Sequence, residues 1–450
     1  MGSTSNGSPT NKGFIKQPGS FIMGEGFARK TFWVSRQVAP RFFCDCRRFW
    51  PAGSLIYAHV AAVLMRTFRP LTHLVLAAFL AACSDGIEPP DLAPVKRPVP
   101  RDQSRPVRLV AVGDILLADA AQDVLDRAGY DYPFRYLRGS MPEHDLLLGN
   151  LEGPITEQAV PISTGKAFVY KARVQAATAL RDFGFDVLDL ANNHTLDYRL
   201  AGMLDTQAAL EAAGIGYFGS GRNLGEAIQA KVIEVAGLRV GFLGFMQHWS
   251  GYVSDYPFYA AEDSPGVPMA SRRIMVSAIE RIREQVDTLV VSMHWGRNYS
   301  DVRDNQVRLG RLAVDLGADI VIGHNSHNLQ GMEVYRGVPI LYSLGNFTFG
   351  TNGHFDQLKD PLWHHGWIAD VRFERGRATQ VDLTPIAINN AVVDFQPRFA
   401  APSLLPGILE LVNARFGTPM SIAGNSARWT LTESAFTKKP SPGKTASDRR

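Results

Sequence analysis

With 450 residues and a 45 % hydrophobic share, the chain can bury a full core and has the composition of an ordinary globular protein rather than a disordered one. Its formal net charge of +4 is uneven: eight Lys/Arg against two acidic residues give residues 1–64 a balance of +6, and the remainder stands at −2. A mildly acidic remainder excludes the basic footprint of nucleic-acid binding. Only three cysteines occur, Cys44, Cys46 and Cys83, so no disulfide framework or thiolate zinc site is available further along.

Residues 1–64 are rich in Gly, Ser and Arg and show no clear periodicity. Met65–Pro70 is basic, Leu71–Phe79 is largely apolar, and Leu80-Ala81-Ala82-Cys83 closes the stretch. A positive start, a short apolar run and small residues before a cut describe a secretory signal. Its last four residues resemble the bacterial lipobox, in which the cysteine is lipidated and becomes the mature N-terminus. A buried core helix of similar length is the bland alternative, disfavoured by the abrupt change to Ser84-Asp85-Gly86. Since a signal belongs at the start of a chain, we expect Met65 to be the true start and residues 1–64 an upstream extension. Residues 65–83 are then the signal ending at lipidated Cys83, and residues 84–106, with their prolines, an extended tether. No other apolar run is long enough to span a bilayer, so lipid is the expected membrane anchor.

From Arg108 onward, strand-like runs alternate with amphipathic helices. Asp119–Ala128, Val174–Phe183, Leu200–Ala213, Ser271–Gln285 and Asn305–Leu316 carry apolar residues at helical spacing. Asp186–Leu190, Lys231–Val235, Val240–Phe245, Thr288–Met293 and Ile320–Ile322 are rich in Val, Ile and Leu, as strands are. Lys231–Phe245 reads as a hairpin turning at Ala236-Gly237, and Gly366–Thr384 as another turning at Arg375-Gly376. The pattern predicts a layered α/β fold of two packed sheets flanked by helices. The domain is expected over residues 107–398. Residues 399–436 form an extension with one helix, Leu404–Phe416, and residues 437–450 a disordered tail.

Six short motifs follow apolar runs: Gly113-Asp114, Gly149-Asn150-Leu151-Glu152, Asn192-Asn193-His194, His294-Trp295-Gly296, Gly323-His324-Asn325-Ser326-His327 and Ser343-Leu344-Gly345-Asn346-Phe347. In α/β sheets, ligands bind outside the carboxyl ends of the strands. Carboxylate, carboxamide and imidazole groups delivered there suit a divalent cation. Singly, each motif is weak. Gly-Asp is most often a turn, Asn193 could cap the helix beyond Asp197, and His294 could be a satisfied, half-buried histidine. Two imidazoles three residues apart, His324 and His327, are a stronger signal, and six such turns in one topological position make the bland reading improbable.

In this order the motifs resemble the bacterial capsule-synthesis proteins of the CapA type, associated with poly-γ-glutamate production. The resemblance covers about Arg108 to Asn390 and is most specific at Ala191–Asp197 and Tyr342–Phe347. That family in turn resembles the calcineurin-like metallophosphoesterases, which implies a four-layer α/β sandwich around one or two divalent ions of the Mn, Fe or Zn type. By position, the resemblance implies Asp114, Glu152, Asn193, His294, His324 and His327 as metal ligands. It implies His194 as the catalytic histidine, with Asp197 holding its tautomer, and Asn150 and Asn346 as groups that orient ligands. Three departures weaken the set: Leu116 replaces a histidine ligand, Asn298 stands where the family often has glutamate, and Asn325 replaces a second consecutive histidine.

The implied function is that of an envelope lipoprotein, lipid-anchored on the periplasmic face, and in the outer membrane where the cell has two. It would be a metal-dependent, phosphoesterase-like hydrolase acting in capsule or poly-γ-glutamate biosynthesis or export. Its implied partners are an anionic polymer or phosphoester substrate and capsule synthesis or export proteins of the membrane. The competing reading is a non-catalytic, lipid-tethered accessory that binds an anionic polymer or export complex through a degenerate metal site. Basic residues Lys166, Lys171, Arg222, Arg297, Arg303 and Arg308 could meet an anion near the motif loops, although for most a solvated surface role is expected.

Overall fold

The computed structural model describes residues 105–162, 166–250, 258–351 and 359–431. The expected extension 1–64, the signal with Cys83, the tether up to residue 104 and the tail 437–450 lie outside the described residues.

Two mixed sheets form the domain. The first runs β15 (Ser421–Ala423), β16 (Ser426–Thr430), β13 (Arg377–Ala387), β12 (His365–Glu374), β1 (Val107–Leu116), β2 (Leu146–Leu151), β3 (Val187–Asp189), β4 (Gly216–Phe218). Two further strands join it, β11 (Asn346–Phe349) on β1 and β14 (Arg398–Phe399) on β13. The second runs β5 (Lys231–Val235), β6 (Leu238–Met246), β7 (Thr288–His294), β8 (Ile320–His324), β10 (Val338–Leu341), β9 (Met332–Tyr335). β1 to β4 are parallel, as are β6, β7, β8 and β10, so both sheets send carboxyl ends to a common edge.

Side-chain alternation along these strands sorts the core into layers. Leu109 and Ala111 of β1 pack with Val240 and Phe242 of β6, Val290 of β7 and Ile322 of β8, so the inner faces of the sheets meet. The intervening Val110 and Val112 face α1 (Gln122–Ala128) and α2 (Gln175–Phe183) through Leu125, Ala176 and Leu180. Leu289 and Val291 of β7 turn instead to Ile274 and Met275 of α4 (Arg272–Ile282) and Leu309 of α5 (Asp304–Asp315), α3 being Arg199–Ala213. The result is helix, sheet, sheet, helix: the layered α/β fold expected from the sequence.

Both hairpins turn where the sequence places them. Ala236 and Gly237 have φ of 47° and 83°, and Arg375 and Gly376 have 50° and 74°. Two consecutive positive φ values are what a two-residue hairpin of right-handed twist demands. Beyond residue 398 the chain stays with the fold. Helix α6 (Leu405–Arg415) buries Leu405, Ile408 and Val412 in the inter-sheet core, and β16 pairs with β13. Among the described residues no helix is long and apolar enough to cross a membrane.

Candidate metal centre

The site is built from two rows of register partners. Asn346, Asp114, Asn150 and Asp189 lie side by side across β11, β1, β2 and β3, and His294 pairs with His324 across β7 and β8. Asn150, Asp189, His294 and His324 continue the inner-face alternation of their strands, so the polar rows sit at the mouth of the inter-sheet core. The glycine before Asp114 has a steric cause: a Cβ on Gly113 would lie 1.9 Å from the carbonyl oxygen of Gly345, where the chain entering β11 crosses β1. Only glycine permits that approach.

Asp114 is fully buried and central. It accepts hydrogen bonds from Asn150 Nδ2 at 2.8 Å and from the Asn325 backbone N–H at 3.2 Å, and its oxygens lie 3.5 Å from His324 Nδ1 and 3.2 Å from His327 Nδ1. Glu152 faces it from beyond β2, with Oε1 3.8 Å from both His294 Nε2 and His327 Nε2 and 4.0 Å from His194 Nε2. Asn193 Oδ1 reaches His294 Nε2 at 3.0 Å, and Asn346 Oδ1 accepts from His327 Nδ1 at 2.9 Å. The residues singled out by sequence thus converge, although Asp114 and His327 stand more than two hundred positions apart.

Among the described residues, four buried polar atoms of this cluster have no hydrogen-bond partner: Glu152 Oε2, both ring nitrogens of His324 and Asn346 Nδ2. Leaving such groups unpaired costs about 1–3 kcal/mol each. Donor atoms of Asp114, Glu152 and His327 all lie within 4.8 Å of one another, so this buried group could hold a metal ion. An oxygen-and-imidazole set of this kind fits a divalent transition ion.

Charge is finely opposed here. Burial would raise the Asp114 carboxyl, but the His324 and His327 rings outweigh it and hold Asp114 well below the usual range. Burial pushes Glu152 well up, with His327 opposing. His327 itself would be lowered by burial, yet the Glu152 and Asp114 carboxylates hold it up at about 9. His294, in the second row, is pushed well down by burial. The two carboxylates thus favour the charged form of the His327 ring.

Beside the cluster lies a second group. His194 Nδ1 is 2.6 Å from Asp197 Oδ2, and Lys166 Nζ reaches Asp197 Oδ1, the Asn193 carbonyl at 2.8 Å and His194 Nδ1 at 3.1 Å. Burial, then the Lys166 charge, draws His194 down to about 4. Asp197 is buried, but His194 and Lys166 together hold it low. His194 and Glu152 open onto a cavity of about 710 Å³, together with Asn193, Lys166 and His327.

Some sequence expectations take a different form. Helix α3 begins at Arg199 without a side-chain cap, so Asn193 does not cap it and turns to His294 instead. Asn192 is the scaffold of that turn: its Nδ2 donates to Asn150 Oδ1 and the Leu151 carbonyl, and its Oδ1 accepts the His194 N–H. Asn325, at φ 84°, donates Nδ2 to the carbonyls of Trp295 and Gly296, fixing the turn that carries His327. Of the six basic candidates only Lys166 and Arg297 line the cavity. Lys166 is buried on Asp197 rather than solvated, while Arg222 pairs with Glu226 and Arg308 with Asn305. Tyr170 and Tyr299, which also line the cavity, carried no motif signal in the sequence.

A helix–sheet–sheet–helix domain with a buried carboxylate–imidazole cluster at the shared strand ends defines a metallophosphoesterase-like α/β protein. Residues 108–351 match the bacterial capsule synthesis protein family PGA_cap, and the chain belongs to that family. It is 32 % identical to the PGA biosynthesis protein CapA of Bacillus subtilis (strain 168) over 283 residues, covering 62 % of this chain and 71 % of that protein. To the capsule biosynthesis protein CapA of Bacillus anthracis it is 32 % identical over 260 residues, covering 56 % and 62 %. A probable polyglutamine synthesis accessory protein of Mycobacterium tuberculosis (strain CDC 1551 / Oshkosh) is 34 % identical over 224 residues, covering 47 % and 58 %. The chain therefore spans well under the full length of each relative, and less than two thirds of the second and third.

Proposed function

We propose that this protein is a metal-dependent hydrolase of the cell envelope, acting on a phosphoester or related bond during biosynthesis or export of a capsule polymer of the poly-γ-glutamate kind. The observation that carries the reading is the set of unpartnered buried donors, Glu152 Oε2 and both His324 nitrogens, beside an open cavity that His194 shares. Asp114, Glu152, Asn193, His294, His324 and His327 would hold the ion, with Asn150 and Asn346 orienting them. A bound divalent ion supplies Lewis acidity towards a phosphoryl oxygen and a water molecule.

The chain's own groups handle the proton. With His194 drawn down to about 4, its ring is neutral at pH 7. Its Nδ1–H is donated to Asp197, which leaves Nε2 as the acceptor on the cavity side. His194 would take a proton from the attacking water and return it to the leaving oxygen. Envelope placement follows from the capsule functions named for the relatives, and a lipid on Cys83 would tether the domain there. Association with membrane-bound polymer synthesis or export proteins belongs to the same reading.

The test is metal analysis of the purified protein together with hydrolysis of bis-p-nitrophenyl phosphate. Stoichiometric transition metal and turnover, both lost in His324→Ala, are expected. Metal-free protein that binds poly-γ-glutamate without turnover would replace this reading with the accessory one, which the substitutions at Leu116, Asn298 and Asn325 favour.

A further inference from the structure

The cavity above the polar cluster has an aromatic wall. Ring contacts run without a break from Phe168 to Tyr170 (6.3 Å between centroids), Tyr170 to Phe349 (6.4 Å), Phe349 to His327 (4.8 Å) and His327 to Tyr299 (6.0 Å). Trp249 lines the same space. Phe168 stands at the rim, 58 % exposed, an unfavourable place for a large apolar side chain left uncovered by the described residues. The cations are few. Lys166 is engaged by Asp197, which leaves the exposed Arg297 as the cation of this lining that makes no ion pair among the described residues.

We propose that the ligand of this cavity is a phosphoester whose organic group next to the ester is a ring, sugar or aromatic, held against Phe168 and Tyr299 while one anionic group meets the cluster and Arg297. The inference rests on the hydrolase reading above and narrows its substrate. Poly-γ-glutamate carries a carboxylate on every residue and no ring. Threaded through this cavity, it would set repeated charges against an apolar wall where, away from the cluster, Arg297 is the one cation without an ion pair among the described residues. A ring-bearing phosphoester matches both parts of the site: apolar faces stack on the wall, and the single anion sits over the floor.

Calorimetric titration of the full chain loaded with Mn²⁺ tests this, using phenylphosphonate and methylphosphonate as probes that cannot be hydrolysed. Phenylphosphonate is expected to bind at least ~10-fold more tightly. Phe168→Ala is expected to cut that preference ~2- to 10-fold, the scale of one aromatic contact, with methylphosphonate affinity changed less than ~2-fold. Because Phe168 is exposed, this variant should fold, and Tyr299→Ala provides a second reading from the other end of the wall. Competition by uridine monophosphate or by glucose 1-phosphate then tells a nucleoside from a sugar. Equal affinity for the two phosphonates, no binding of either, or a γ-glutamate oligomer binding as tightly as phenylphosphonate would overturn the inference. Turnover of a diester without ring preference removes this inference and leaves the hydrolase reading. Ring preference without any turnover does the reverse.

Discussion

Ser292 Oγ donates to Asp189 Oδ2 at 2.5 Å across the inter-sheet core, and the two residues belong to different sheets. Asp189 is fully buried on β3, four positions before Asn193, while Ser292 precedes His294 by two on β7. The other oxygen of Asp189 accepts the Ala191 N–H at 2.7 Å. Space for this carboxylate is reserved by glycine, since a Cβ on Gly244 would lie 2.3 Å from Asp189 Oδ1. One hydrogen bond thus sets the spacing between the strand ends that deliver Asn193 and His294.

Ser292→Ala should therefore act on the site as well as on stability. It leaves Asp189 Oδ2 without its donor while Oδ1 keeps the Ala191 N–H, a loss of about 1–3 kcal/mol. Burial already raises Asp189, and without the Ser292 hydroxyl, which lowers it, its carboxyl should rise further. Mn²⁺ affinity is expected to fall ~10-fold, in line with loss of an orienting partner. Urea unfolding and calorimetric titration measure the two effects. Full stability together with unchanged Mn²⁺ affinity would show that this contact positions nothing.

The protonation pattern predicts a stability optimum for the metal-free protein. His194 falls from an ordinary 6.5 to about 4, so the unfolded chain takes up its proton first and stability is lost as pH drops from ~6.5 towards 4. His327 has the opposite sign. Held at about 9, it contributes stability that is complete below ~6.5 and disappears as pH rises through 9. Urea unfolding in chelator at pH 5, 7 and 9.5 should show the maximum near 7. A flat profile would mean that these imidazoles are not set as described.

Much of this site was legible in the sequence because its chemistry sits on strand ends. An apolar run followed by Gly-Asp or Gly-His-x-x-His marks both the strand and the residue it delivers, and β5 falls on Lys231–Val235 as its alternation of residues indicates. Other features left no local trace. Strands β15 and β16 are short, with Ile422 half exposed, and gain their order from pairing, β16 with β13 and β15 with β16, rather than from their own pattern. Lys166 reads as a surface lysine among Ser, Thr and Gly. Only the fold brings Asp197, thirty-one positions on, to its ammonium. The aromatic wall joins Phe168, Tyr299 and Phe349 from three separate loops and strands, which no spacing in the chain records.

Lys166 is predicted to set the working pH of His194. Its ammonium contributes to drawing that imidazole down. Lys166→Met should therefore raise the His194 pKa and move the acid limb of the kcat/KM profile for bis-p-nitrophenyl phosphate to higher pH. His194→Ala should cut turnover ~10²- to 10⁴-fold, the usual contribution of a proton-transfer group, with metal content retained. An acid limb that stays in place in Lys166→Met would assign the lysine to loop packing alone.

Metal uptake should release protons. His327, held at about 9, is protonated in the metal-free protein at pH 7 and must lose that proton to bind an ion. Titration of Mn²⁺ in buffers of different ionisation enthalpy should report about one proton released per ion, with affinity falling as pH drops. No buffer dependence would place His327 outside the ligand set.

The sharpest contrast lies between Asn346 and His324. Asn346 Oδ1 accepts from His327 Nδ1, and its Nδ2 has no partner, so the amide touches the cluster through one imidazole. His324 has both nitrogens free of hydrogen bonds among the described residues, with Nδ1 3.5 Å from Asp114 Oδ1, so a ring nitrogen is available to a cation. Asn346→Ala removes the group that orients His327 and should weaken Mn²⁺ binding ~10- to 100-fold. His324→Ala removes a donor outright and should abolish binding. Circular dichroism guards against misfolding in both variants. Equal and total loss in two folded proteins would mean that Asn346 binds the ion directly, and that His327 is held in place by something else.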